Sequence, residues 1–311
     1  MDALKIGVMY TPLPRNVHPL DMAQVVEDLG FDSYWMGEHF TNWNPVYSAL
    51  VCLSMFAART QRITLGSSVI LLPLRHPVAL AKDLSTLDIL SGGRLIIGVG
   101  AGGDNPREFE ACGVPLKERG PRASEAIQVM KKLWSEPQVD FQGRFFQLRG
   151  ATMDPKPLQK GGPPIWVGGR REGAMRRTAR YGDGWLPYLY TPDQYRESVR
   201  KIAGYAHEVG RDPASITYGL FVFVCVAERK DEARAVAAQR LGCMYSQDFT
   251  KLVDKYCLLG TPDDCVARFQ EYADAGVRYV VLVPTCPAAD VLRQLQVCAA
   301  EIAPRLRALQ V

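Results

Sequence analysis

His39 stands directly after Glu38 and four residues before Trp43. An imidazole changes charge near neutral pH, so a histidine beside a carboxylate can give or take a substrate proton. The same position suits a histidine satisfied inside the structure, and the residue types leave both readings open. The other histidines offer less. His76 precedes Pro77 at an expected helix start, where capping or packing explains it, and His207 falls late in a charged helical stretch facing solvent. Gly168-Gly169-Arg170-Arg171 is a second constellation. Two glycines let backbone amides approach a phosphate, a following helix start adds positive potential, and two arginines add charge-assisted contacts. A tight turn with solvated arginines is the alternative. The run Gly98 to Gly103 is rich in glycine, which is weak evidence alone but lets backbone pass close to a flat ligand. No metal is expected: His39 has no second ligand at a suitable spacing, and the eight cysteines contain no C-x-x-C pair.

These residues follow short apolar runs that read as strands. Leu4–Tyr10, Phe31–Gly37, Ile63–Leu72 and Arg94–Gly100 alternate with helical patterns at His18–Leu29, Pro45–Arg59 and His76–Leu90. The alternation resumes with strands at Ile165–Gly168, Gly184–Tyr188, Ile216–Ala227 and Arg278–Pro284. Their helices are Gly173–Tyr181, Pro192–Gly210, Asp231–Tyr245 and Ala288–Leu309. Strands apolar on both faces and separated by helices imply a parallel sheet. Eight such strands favour a (β/α)8 barrel over an open doubly wound sheet, with the active site at the carboxyl ends of the strands. His39, Ser67-Ser68-Val69, Gly98–Asn105 and Gly168–Arg171 all follow or end strands in this register.

A barrel of this kind accounts for about 250 residues. The chain has 311. The surplus reads as insertions into a single barrel domain spanning 1–311, near 136–164 and 245–262. The first contains a hairpin turning near Gln142-Gly143. Hydrophobic residues at 47% and charged residues at 23% describe an ordinary folded chain, and a net charge of +4 gives no case for nucleic acid. No run is long enough to span a membrane. Cysteines in apolar contexts and a start without a signal pattern predict free thiols and a cytoplasmic location.

Taken in order, several segments resemble the luciferase-like monooxygenase superfamily. They are Leu29–Trp35 with Glu38-His39-Phe40, Ile63–Val69, Pro73–Pro77, Leu87–Arg94, Gly98–Gly102, and Pro164–Gly169 with Gly182–Trp185. The resemblance implies a (β/α)8 barrel holding coenzyme F420, a deazaflavin, with FMN as the alternative. Ser67, Ser68 and Val69 match a bulge behind the flavin-like ring, where the family often has a non-prolyl cis peptide. Gly100, Ala101 and Gly102 match the loop beside the ring, and Gly168, Gly169, Arg170 and Arg171 the phosphate loop. The His39–Trp43 spacing is similar to deazaflavin-dependent sugar-phosphate dehydrogenases, in which the histidine handles the substrate hydroxyl proton. Pro106 falls where that group's partner acid would stand, with Glu108 and Asp104 as acidic neighbours, so the sugar-phosphate substrate is not carried over.

The expectation is therefore hydride transfer between a small organic substrate and F420, with His39, Trp43 and Glu108 as catalytic candidates. The alternatives are an FMN-dependent monooxygenase fed by a separate reductase and a flavin-binding barrel without turnover. The apolar stretch Pro45–Arg59 predicts a homodimer.

Overall fold

Nine parallel-type strands run through one sheet of the computed structural model, which describes residues 3–13, 17–41 and 46–309. Trp43, a catalytic candidate, and Pro45 lie outside the described residues. The first elements in chain order are β1 (Lys5–Met9), α1 (Pro19–Asp28), β2 (Ser33–Met36), α2 (Ala49–Arg59), β3 (Thr64–Leu71), α3 (Pro77–Leu90) and β4 (Leu95–Gly100). Next are α4 (Pro106–Ala111), α5 (Arg119–Ser135), β5 (Val139–Gln142), β6 (Gln147–Ala151), β7 (Ile165–Gly168), α6 (Glu172–Tyr181) and β8 (Gly184–Leu186). Then come α7 (Pro192–Glu208), β9 (Thr217–Val226), α8 (Lys230–Tyr245), α9 (Val253–Tyr256), β10 (Cys257–Gly260), α10 (Pro262–Asp274) and β11 (Tyr279–Pro284). The chain ends with α11 (Val291–Val297) and α12 (Ala303–Arg307).

The strand order is β10-β9-β11-β1-β2-β3-β4-β7-β8, with a further pairing of β9 to β8. That pairing closes eight strands into a (β/α)8 barrel, the expected fold, and leaves β10 as an added strand on β9. The hairpin of β5 and β6 is antiparallel, with Gln142 opposite Gln147.

The chain divides into two compact units. One comprises Met1–Trp35, Leu186–Gly204 and Thr217–Val311. In it, Gly7 leaves room for Trp35, whose indole N–H donates to the Ser33 hydroxyl at 2.6 Å; a Cβ at Gly7 would lie 2.1 Å from that oxygen. Gln294 satisfies both backbone groups of Val226, at 2.8 and 2.7 Å. All eight cysteines are free thiols. Burial pushes Cys225 up to about 11 and Cys265 and Cys286 up to about 12, so these thiols are inert near neutral pH.

The other unit comprises Met36–Trp185 and Tyr205–Ile216. Arg94 fastens its lower rim, donating to the carbonyls of Ala57, Thr60, Ile63 and Ser91. Asp183 caps the entry to β7 by accepting from the Ile165 amide at 2.8 Å and from Lys131 at 2.9 Å. The register of β3 against β4 shifts between Ser67 and Ile70, and the Ser68–Val69 peptide is cis. Gly98 faces this irregularity. A Cβ there would lie 1.9 Å from the Ser67 carbonyl oxygen, a backbone atom that cannot swing aside. Gly98→Ala should therefore destabilise the protein by about 3 kcal/mol, read as a lower urea midpoint with an unchanged slope. An unchanged midpoint would mean that β3 yields easily.

Several elements differ from the sequence reading. The stretch after Gly100 holds α4 and α5, which had no assigned element. The buried stripe of α5 (Ala123, Ala126, Ile127, Met130, Leu133) is partly alanine and follows Gly120-Pro121, so its periodicity is faint. The expected loop at 245–262 contains α9 and the four-residue β10. The last expected helix is interrupted by a π turn at Cys298–Ile302, just before Pro304, whose ring nitrogen cannot donate.

Candidate active site

The site described here lies within the unit Met36–Trp185 with Tyr205–Ile216. The loop after β2 carries Glu38, whose carboxylate is buried. It accepts from the Leu71 amide at 3.0 Å, at the end of β3, and from Arg75 through Nε at 3.1 Å and Nη2 at 2.5 Å. Arg75 also lies over the Phe40 ring, 5.0 Å from its centroid. A buried carboxylate is tolerated when paired and hydrogen-bonded, and both conditions hold.

His39 follows. Its Nδ1 is 3.2 Å from Oε2 of Glu108, while a third of its side chain is exposed (33%). A neutral ring facing a carboxylate donates through Nδ1, and its lone pair then lies on Nε2. Glu108 is nearly inaccessible and also accepts from the amides of Phe40 (2.5 Å) and Thr41 (3.3 Å). It sits in the first turn of α4, where the helix dipole favours a negative charge. Asn105, at the start of that helix, donates to the Thr41 carbonyl at 2.7 Å. Pro106 opens α4 and Asp104 is exposed, so of the two acidic neighbours it is Glu108 that reaches His39. Phe109 anchors α4: a Cβ at Gly102 would meet its ring at 3.2 Å. Gly102 is itself in the left-handed region at φ 63°.

Ser67, Ser68 and Val69 occupy the β3 irregularity. The Ser67 hydroxyl donates to the Gly98 carbonyl at 2.9 Å, and the Val69 side chain fills the space a Cβ on Gly100 would need. Gly100 closes β4 and Ala101 opens the loop after it.

Gly168 ends β7, and Gly169 to Arg171 form a separate loop before α6. Gly169 has φ 122°, a conformation closed to other residues, and its carbonyl accepts from the buried Trp185 indole at 3.0 Å. Arg171 takes the N-cap position of α6 without capping it through its side chain. Gly168, Gly169 and Gly173 place no side chain over that helix start. Glu172 is turned to Arg176 (2.8 Å) and Tyr205 (3.2 Å). A helix amino terminus reached by glycines, with exposed Arg170 and Arg171 beside it, fits a phosphate-bearing group. Among the described residues, no group of three or more His, Cys, Asp or Glu could hold a metal, and no helix is long and apolar enough to cross a membrane.

Sequence reasoning missed Arg75 and placed Asn105 only as the last residue of the strand-end segment Gly98–Asn105. Arg75 lay in the quoted segment Pro73–Pro77, but nothing in the spacing tied it to Glu38.

The family model for luciferase-like monooxygenases matches residues 5–279. The F420-dependent glucose-6-phosphate dehydrogenase of Kineococcus radiotolerans is 31% identical over 321 aligned positions, covering 92% of each chain. The 5,10-methylenetetrahydromethanopterin reductase of Archaeoglobus fulgidus is 27% identical, covering 98% of this chain and all of its own. Among solved structures, an F420-dependent secondary alcohol dehydrogenase in complex with an F420–acetone adduct superposes with a TM-score of 0.86 at 21% identity, covering 98% of this chain and 99% of its own. A monooxygenase from Streptomyces bottropensis superposes with a TM-score of 0.85 at 26% identity, covering 97% and 99%.

Proposed function

Because the chain belongs to the luciferase-like monooxygenase family, we propose that it is an F420-dependent oxidoreductase acting on a small organic substrate, with His39 as its acid–base group. The His39–Glu108 pair carries this reading: a partly exposed imidazole at a strand end, oriented by a buried carboxylate, is built for proton transfer. Similarity to F420-dependent relatives over nearly the whole chain supports the cofactor.

Bound F420 supplies a two-electron hydride acceptor or donor. The residues that would hold it are Gly168, Gly169, Arg170 and Arg171 at its phosphate, and Ser67, Ser68, Val69, Gly100, Ala101 and Gly102 beside its ring. In oxidation of an alcohol, His39 Nε2 takes the hydroxyl proton as the carbon gives up hydride, and a carbonyl forms. Glu108 holds Nδ1–H and so stabilises the imidazolium. Reduction runs the same steps backwards, with His39 as the acid.

Titration of the purified protein with F420 and with FMN tests the cofactor. Saturable F420 binding with weaker FMN binding is expected. FMN binding without response to F420 would overturn the reading, and oxygen uptake with reductase-supplied FMN would put a two-component monooxygenase in its place. The absent acid at Pro106, the main argument for a barrel without turnover, weakens once Glu108 stands at His39.

Arg170→Gln with Arg171→Gln should weaken F420 binding about 10- to 100-fold through lost charge-assisted contacts. Unchanged affinity at low salt would remove the phosphate from this loop. The proposal includes a homodimer. Helix α2 buries Leu53 and Phe56 but exposes Val51 (63%) and Met55 (47%), and Tyr47 precedes it at the same spacing (53%). Sedimentation at micromolar concentration should give twice the chain mass, and Val51→Glu should halve it; a monomeric parent protein contradicts this. Free cysteines throughout support a reducing, cytoplasmic location.

A further inference from the structure

We propose that the Glu38–Arg75 ion pair is a positioning brace that sets the orientation of His39, an inference that rests on the acid–base reading above. Arg75 grips Glu38 through Nε and Nη2, and the Leu71 amide holds the second carboxylate oxygen. Residue 38 is thus tied to the end of β3 immediately before His39. Immediately after His39, the Phe40 and Thr41 amides are tied to Glu108, and the Thr41 carbonyl to Asn105. His39 lies between the two clamps with a third of its side chain open to solvent. Its bond to Glu108 spans 3.2 Å, so a small pivot of the loop breaks it. Arg75 closes the outer side by lying over Phe40, so the same guanidinium restrains the residues on both sides of the histidine.

The arrangement does not call for an ion pair on stability grounds. A buried carboxylate with a mostly covered guanidinium gains little over apolar packing of the same volume. What a bidentate fork supplies is a fixed angle, which lysine cannot reproduce. Arg75 and Glu38 are therefore positioning residues, acting through His39.

The test uses Arg75→Lys, Arg75→Met, Glu38→Gln and the double variant Glu38→Gln/Arg75→Met. In the cofactor-free protein, nitrogen-15 NMR of the imidazoles reads the His39 tautomer, with the signal assigned by its loss in His39→Gln. The parent should show one tautomer, protonated at Nδ1, and Arg75→Met and Glu38→Gln should show a mixture. With F420, kcat per binding-competent molecule should fall about 10- to 100-fold, the scale of a small misplacement, while F420 affinity stays within about twofold of the parent. The double variant should lose no more than the worse single one, because the pair acts as a unit. Arg75→Lys, the milder change should Arg75→Met not fold, should recover only part of the loss. A single unchanged His39 tautomer in folded Arg75→Lys and Glu38→Gln overturns the brace, as does an unchanged kcat. If the parent neither binds nor turns over F420 while the imidazole signal still responds to Arg75, the functional reading fails and the brace stands.

Discussion

His39→Ala is expected to lower single-turnover hydride transfer about 10²- to 10⁴-fold, the range that a positioned acid–base group supplies, and to leave F420 affinity unchanged. The reasons are local. The imidazole, between the two clamps, is partly open to solvent, and Glu108 behind it is buried and committed to backbone amides. Removing the ring leaves those amide bonds in place, so the loop from Glu38 to Thr41 keeps its anchors. The lost hydrogen bond comes from a partly exposed ring, and bonds of that kind contribute about 1 kcal/mol. The melting temperature should therefore hardly move. Stopped-flow absorbance at the deazaflavin band reads the rate, and added imidazole should restore part of it by occupying the vacated space. A variant that turns over at the parent rate would remove His39 from the chemistry and revive the barrel without turnover.

The barrel was legible because its signal is repeated: short runs apolar on both faces, each followed by a helical pattern. Pairings between distant strands need no further code once that rhythm is set. The elements that escaped were those whose pattern is diluted. Helix α5 opens its buried stripe on two alanines and carries Gly120-Pro121 in its first turn, and β10 is four residues long. The site was legible in part for a similar reason. His39 and Gly168–Arg171 announce themselves by residue type next to a strand end. The Glu38–Arg75 bond joins residues 37 apart and the His39–Glu108 bond residues 69 apart, and such pairings exist only after folding. Glu108 was reached through the resemblance and stood equal with Asp104. The geometry separates them: Glu108 is buried against His39 and the Phe40 amide, while Asp104 faces solvent.

Glu108→Gln isolates what the carboxylate does for the imidazole from what it does for the chain. A glutamine oxygen can still accept from the Phe40 and Thr41 amides, so the loop stays anchored. Its amide nitrogen then replaces the oxygen that faced Nδ1, and two donors cannot share that 3.2 Å gap. The ring answers by moving its proton to Nε2, the nitrogen that must be bare to accept the substrate proton. A wrong tautomer in a histidine–carboxylate pair costs on the order of 10³- to 10⁴-fold in rate, and that loss is expected with urea stability nearly unchanged. Glu108→Ala should match the loss of rate and add a loss of stability. It strands two amides in a buried place, at about 1–3 kcal/mol each, with some recovery where water enters. The contrast is the informative measurement: Gln should move the rate alone, Ala both rate and urea midpoint. Should Gln turn over like the parent, the carboxylate would be an anchor for the loop and nothing more, and His39 would have to be oriented from its other side.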